Sequence, residues 1–375
     1  MNTAKLVGII DEDPYNAKTW SGSSLYFFNA LKQRGTLHTA ISAKPERRVQ
    51  LFYQMLSVQG KMRQWKFKYH LNTDYYRQMT KAAKRELDKI NSSEYQTIVQ
   101  IGAWYDMTGY KDKHVVSYHD GNLATLLSSP YGYPRISKSY IDRTLSYERD
   151  LYKRIDLLFP MSQWLADSFV RDFGVPACKV FPIGAGINLP RVLGVADKRY
   201  DEPRMLFVGK DFQRKGGGDL LDAFKIIRKE FPCAELTIIG PELKSPPEGV
   251  RCLGFVSKAN RGGLDQLLAE YERASVFVLP SLYEPFGIAF AEAMAHKLPC
   301  IGTNICAMPE LIKHGKTGYV VPPSDPNNLA RKVIELLREP SLCKELGDNA
   351  YEHYLKNYTW SSVAERMCNV MDDEL

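Results

Sequence analysis

Short apolar runs of strand length alternate with helical patterns along the whole of this 375-residue chain, and that alternation most narrows what it can fold into. The first half offers Leu6–Ile10, Leu37–Ile41, Thr97–Ile101, Val115–Tyr118 and Leu157–Pro160 as strands. The second offers Arg204–Val208, Glu235–Ile239, Val250–Leu253, Val276–Leu279, Cys300–Thr303 and Gly318–Val321. Helical stretches such as Gly218–Phe231, Leu264–Ala274 and Leu329–Arg338 lie between them. Strand–helix repetition of this kind predicts α/β architecture with parallel sheets. The stretch LPRVLGVADKRYDEPR is polar, holds two prolines and breaks the pattern, which predicts a domain over residues 1–188, a linker over 189–203 and a second domain from 204 onward. In doubly wound sheets ligands sit at the C-terminal ends of strands, so the expected site is a cleft that the two domains face.

Composition fits that plan. With 44% apolar residues the chain can fill two cores, and no run approaches the roughly 18 apolar residues of a membrane span. MNTAKLVGIIDEDP has an apolar run too short for a secretory signal and reads as a first buried strand. Seven cysteines without a C-x-x-C pair point to a reducing cytoplasm rather than a disulfide framework. The net charge of +7 is concentrated early: residues 1–190 carry 26 Lys+Arg against 17 Asp+Glu. Between Lys61 and Lys89 nine basic residues face three acidic ones, interleaved with Trp65, Phe67 and Tyr69. Three readings stand for that arm: a peripheral seat on the inner face of an anionic membrane, a groove for an acidic acceptor, or ordinary helices with solvated lysines. No DNA- or RNA-binding module is recognisable.

The chemistry gathers in SLYEPFGIAFAEAMAHKLP. Glu284 precedes Pro285 at a strand end, and Glu292 falls eight positions later inside an apolar helix. A carboxylate there needs partners or must lose its charge. Its neighbours at three and four residues are Ile288, Ala289, Ala295 and His296, and the small alanines on that face leave room for a planar ligand. Either a ligand diol completes Glu292, or His296 or solvent does. Upstream, Gly209 and Lys210 end a strand, and Arg214 and Lys215 precede a glycine triplet that opens a helix, a place where cations and backbone amides hold phosphate. The G-x4-G-K-S/T spacing of a nucleotide-triphosphate loop is absent.

Glu284-Pro285-Phe286-Gly287, the seven-residue gap and Glu292-Ala293 resemble the glutamate-x7-glutamate motif of retaining family 4 glycosyltransferases (glycosyltransferase group 1) with the GT-B fold. Phe207-Val208-Gly209-Lys210 with Arg214-Lys215-Gly216 resembles that family's diphosphate loop, and Pro309–Ile312, Gly315–Tyr319 and Val321–Pro323 resemble its next signatures. The likeness covers most of the second half and is looser in the first. It implies two Rossmann-like domains, the first (1–188) binding the acceptor and the second (204–357) the nucleotide sugar, with residues 358–375 as a C-terminal helix crossing back to the first. It implies Glu292 on a ribose, Glu284 on donor-sugar hydroxyls, and Arg214 with Lys215 on the diphosphate, with Lys210 an open alternative to Arg214. The backbone of Phe286, Gly287 and Ile288 would meet the ligand at a helix N-terminus.

In the first half the resemblance puts Ser21 and Gly22 beside the diphosphate and His119, at the end of a strand, beside the reacting sugar; a helix cap and a structural histidine are the plain alternatives. Gly184–Asn188 resembles the segment on which the domains close. Asp11-Glu12-Asp13 spells the D-x-D of metal-dependent transferases of another fold, but it reads here as a solvated turn, and the expected chemistry uses no metal and no bound cofactor. The implied activity is hexosyl transfer from a UDP- or GDP-sugar to a glycan, lipid-linked or small-molecule acceptor. An epimerase of the same fold and a non-catalytic sugar-nucleotide sensor are the rivals.

Overall fold

The computed structural model describes residues 5–58, 60–129, 133–192 and 198–375. The first four residues of the N-terminal segment and 193–197 of the expected linker lie outside the described residues. The chain divides into two compact units, one running to Gly184 and taking up Trp360–Leu375, the other spanning Ala185–Thr359. The boundary thus falls inside Gly184–Asn188, four residues before the expected end of the first domain.

In unit 1 the elements run β1 (Leu6–Ile10), α1 (Ser23–Gln33), β2 (Leu37–Ser42), α2 (Arg47–Ser57), α3 (Met62–His70), α4 (Thr73–Leu87), β3 (Thr97–Ile101), β4 (His114–His119), α5 (Leu123–Leu127), α6 (Lys138–Arg154), β5 (Leu157–Pro160) and α7 (Gln163–Phe173). The strands pair in parallel in the order β2-β1-β3-β4-β5. β1 and β3 are buried along their whole length, as expected for central strands of a parallel sheet covered on both faces. Val7, Ile9, Ile98, Val115 and Leu158 meet Tyr152, Leu165 and Phe169 of the covering helices in one core.

Unit 2 holds β6 (Arg204–Val208), α8 (Gly217–Glu230), β7 (Glu235–Ile239), β8 (Val250–Cys252), α9 (Arg261–Arg273), β9 (Val276–Val278), α10 (Ile288–Ala295), β10 (Cys300–Thr303), α11 (Met308–Leu311), β11 (Gly318–Val321), α12 (Pro326–Arg338) and α13 (Pro340–Asn357). Its parallel sheet has the order β11-β10-β9-β6-β7-β8. The chain then returns to unit 1 as α14 (Trp360–Glu374), where Trp360 packs on Phe27 and Arg366 donates to the Ile183 carbonyl.

Both orders contain one place where the winding reverses, between β1 and β3 in unit 1 and between β6 and β9 in unit 2. Strand C-termini diverge there and leave a crevice for ligands.

Candidate active site

The crevice of unit 2 collects the residues singled out in its sequence. β6 ends in Val208-Gly209-Lys210, and β9 runs on to Ser281 and Glu284. The Lys215 ammonium donates to Glu284 Oε2 at 2.7 Å, Ser281 donates to the same oxygen at 3.3 Å, and Arg214 Nη1 lies 3.7 Å from it. Arg214 also donates to the Tyr283 carbonyl at 2.5 Å, and its own carbonyl accepts the Leu282 amide. Glu284 is 8% exposed. Burial alone would raise its carboxyl, but Lys215 and Arg214 outweigh that and hold it below the usual glutamate range. Among the described residues these contacts all fall on Oε2, so Oε1 keeps its lone pairs.

Glycines make this cluster geometrically feasible. A Cβ on Gly209 would stand 2.1 Å from Lys215 Cδ, so the lysine stem crosses the strand end only because no side chain is there. Gly216, at φ +70°, would drive a Cβ to 1.9 Å from the Pro280 carbonyl oxygen. Gly287, at φ +91°, caps α10. Ile288 opens the first turn, while the Phe286 ring is buried against Tyr358. Lys210 stays outside the cluster, its ammonium 4.5 Å over the exposed ring of Phe255. Arg214, not Lys210, is the second cation beside Glu284.

Glu292 is 1% exposed on α10. Its Oε1 forms an ion pair with Lys258, and its Oε2 accepts the Tyr271 hydroxyl at 3.1 Å. His296 bonds the Glu292 backbone carbonyl at 2.8 Å instead of the carboxylate, and its ring stacks on Tyr271 at 4.9 Å. The partners of the buried acid are therefore protein groups from α9 and the loop before it. Neither has a local sequence signal, since Tyr271 and Lys258 lie 21 and 34 positions away.

In unit 1, Trp20, Ser21 and Gly22 are three consecutive left-handed residues with φ of 46°, 58° and 94°, leading into α1. Strain on two non-glycine residues is a feature of ligand clamps. Trp20 Nε1 donates to Asp120 Oδ2 at 2.8 Å, tying this turn to the end of β4. His119, expected beside the reacting sugar, ends β4 with its side chain packed inward. It is 2% exposed, its Nε2 lies 2.8 Å from Ser117 Oγ, and its ring meets Tyr152 and Phe169 edge-on. Burial pushes the imidazole down to about 3, so it is neutral. Alternation along β4 is the cause: Tyr118 stacks on Phe27 on one face, which turns His119 into the core on the other.

Within the basic arm, α4 sends Tyr75, Tyr76, Met79, Ala83 and Leu87 into the core, so that part is an ordinary amphipathic helix. Leu51, Phe52, Met55, Leu56, Val58 and Met62 on and after α2 are exposed. No helix among the described residues is long and apolar enough to cross a membrane.

Residues 194–353 match the family model described as glycosyl transferases group 1. The match covers less than half of the chain, and this stretch resembles a group 1 glycosyl transferase domain. Over 196 residues, 49% of this chain and 47% of the relative, the sequence is 34% identical to an uncharacterized glycosyltransferase of Methanocaldococcus jannaschii. The chain spans about half the length of the curated relatives it matches. Sucrose-phosphate synthase from Thermosynechococcus elongatus superposes with a TM-score of 0.66 over 98% of each chain at 18% identity. Anabaena HepE, solved in complex with UDP and glucose, gives 0.63 over 99% of this chain and 100% of that one at 15% identity. These likenesses show the GT-B fold, and the stretch matched by the family model lies in the second parallel-sheet unit.

Proposed function

We propose that the protein is a retaining glycosyltransferase that moves a hexosyl group from a nucleoside-diphosphate sugar to an acceptor hydroxyl without a metal ion. The observation that carries this reading is the Lys215–Glu284–Arg214 cluster at the winding reversal of unit 2. Two cations against one acid leave a positive site for a departing diphosphate, in a place poor in water. Glu284 orients both cations through Oε2 and accepts a donor-sugar hydroxyl on Oε1. Glu292 takes the ribose diol once Lys258 shifts or shares it.

A carboxylate tied to two cations is a weak nucleophile, which argues against a covalent glycosyl intermediate on Glu284. The bond from the anomeric carbon to the phosphate oxygen breaks, with its electron pair going to that oxygen. The acceptor oxygen bonds on the same face, and its proton passes to the leaving phosphate. A thermal-shift screen against UDP-, GDP- and ADP-sugars, followed by NMR of the product anomer, tests the reading. No donor binding and no nucleotide release with any acceptor would sink it. Conversion of the donor without acceptor would favour the epimerase instead.

The exposed apolar residues of α2, set among Arg47, Arg48, Lys61 and Arg63, support a peripheral seat on an anionic membrane. Sedimentation with vesicles of phosphatidylglycerol and phosphatidylcholine should exceed that with phosphatidylcholine alone. Equal or absent sedimentation removes this part of the proposal.

A further inference from the structure

The two oxygens of Glu292 are held by groups of opposite character. Oε1 pairs with Lys258, which stands in the loop before α9 with its side chain 35% exposed. Oε2 accepts at 3.1 Å from the hydroxyl of Tyr271, which lies in the last turn of α9 and is fully buried. One partner can leave into water and the other cannot.

The phenol is itself clamped. Lys198 donates to the Tyr271 and Glu272 carbonyls at 2.6 and 2.8 Å, which closes the C-terminal end of α9. His296 lies flat on the Tyr271 ring, with centroids 4.9 Å apart and planes 10° from parallel. Its Nδ1 lies 2.8 Å from the Glu292 carbonyl, which can only accept, so that nitrogen carries the proton. Burial pushes the imidazole down to about 4, and among the described residues its Nε2 has no partner. The ring is therefore neutral and braces the phenol without competing for the carboxylate. Burial and the Glu292 charge hold the Tyr271 hydroxyl well above the usual tyrosine range, so it stays a donor.

A glutamate's terminal torsion is soft, and its carboxylate plane is set by what it bonds. When Lys258 swings out, Tyr271 still fixes Oε2, and Oε1 keeps one direction. A carboxylate locked in this way feels the loss of a ligand hydroxyl in full. One free to turn would follow the hydroxyl that remains.

We propose that Tyr271 is a positioning residue: it holds the Glu292 carboxylate fixed while ribose hydroxyls replace Lys258, and so sets a preference for ribose over deoxyribose. This role rests on the donor reading of unit 2, since it needs a ribose at Glu292.

Calorimetry on the full chain tests this, with UDP and GDP each compared with analogues lacking one or the other free ribose hydroxyl. The parent should bind the ribose form about tenfold or more tighter than at least one analogue. Tyr271→Phe, which removes one oxygen and keeps the stack, should shrink that ratio to about twofold. A merely structural residue would weaken all forms alike and leave the ratio in place. Lys258→Met keeps the phenol and removes the group to be displaced, so it should hold the ratio and bind the ribose form several-fold tighter. Equal binding of all forms by the parent, or an unmoved ratio in Tyr271→Phe, overturns the proposal and leaves the donor site standing. So does a lost ratio or weaker ribose binding in Lys258→Met. A parent that binds neither UDP nor GDP removes the donor reading and the role of Tyr271 together.

Discussion

Lys258 and Glu292 form an ion pair in which the acid is almost wholly buried and the ammonium half-exposed, joining the loop before α9 to the middle of α10. With the Tyr271 hydroxyl on its other oxygen, the carboxylate is satisfied by the protein alone. A ribose arriving at Glu292 must therefore replace a contact rather than fill a gap, and Lys258, at the exposed end, is the group able to yield.

Glu292→Gln should weaken nucleotide binding about tenfold or more, because a neutral amide offers one acceptor in place of two. Lys258→Ala should lower the melting temperature, since it leaves a buried charge with one hydrogen bond; breaking such a pair costs up to about 3–5 kcal/mol when water cannot reach it. Calorimetry and thermal denaturation read these separately, and nucleotide affinity unchanged in Glu292→Gln would remove the ribose role.

Glu284→Ala should cost turnover about 100-fold or more while leaving nucleotide affinity equal or tighter. The reason is that Lys215 and Arg214 lose their counter-charge and become freer to hold a diphosphate. A parallel loss of affinity and turnover would mean that the acid serves only as structure.

Gly209→Ala and Gly216→Ala should separate function from folding. At Gly209 the new methyl meets a flexible lysine stem, so Lys215 swings away from Glu284 and turnover falls with little change in melting temperature. At Gly216 it meets the Pro280 backbone at a left-handed φ, which should destabilise by about 1–3 kcal/mol. Similar melting temperatures for the two variants would contradict this.

Glu148 supplies a pH test. Its Oε2 accepts the Leu123 amide at 3.1 Å, and burial pushes its carboxyl up from 4.5 to about 7. The unfolded chain gives up this proton first, so stability declines as pH rises from 4.5 and the loss is complete above about 7. Glu148→Gln should melt close to the parent near pH 5 and several degrees above it near pH 8. A gap that does not widen with pH would show that the acid is already ionised in the fold.

All eleven strands among the described residues were legible in the sequence to within a residue or so, because each carries its own mostly apolar run between turn residues. The Glu284 and Glu292 spacing and the Arg214-Lys215-Gly216 turn were equally legible, since they lie within single loops and helices. The burial of His119 was not legible: which face of β4 it occupies depends on what covers that face. The same holds for the aromatic and acidic residues around Asp11, which come from β1, α3 and the turn after β3 and form a cavity only once those elements meet.

Local order thus comes from periodicity, and periodicity is a property of the chain itself: two parallel sheets, a linker, and where the helices begin. Tertiary structure alone decided that Lys215 crosses a glycine to reach Glu284, that Lys258 and Tyr271 close on Glu292, and that unit 1 has a crevice of its own. Those contacts join residues tens of positions apart, and strand order, which no single segment encodes, brings them together.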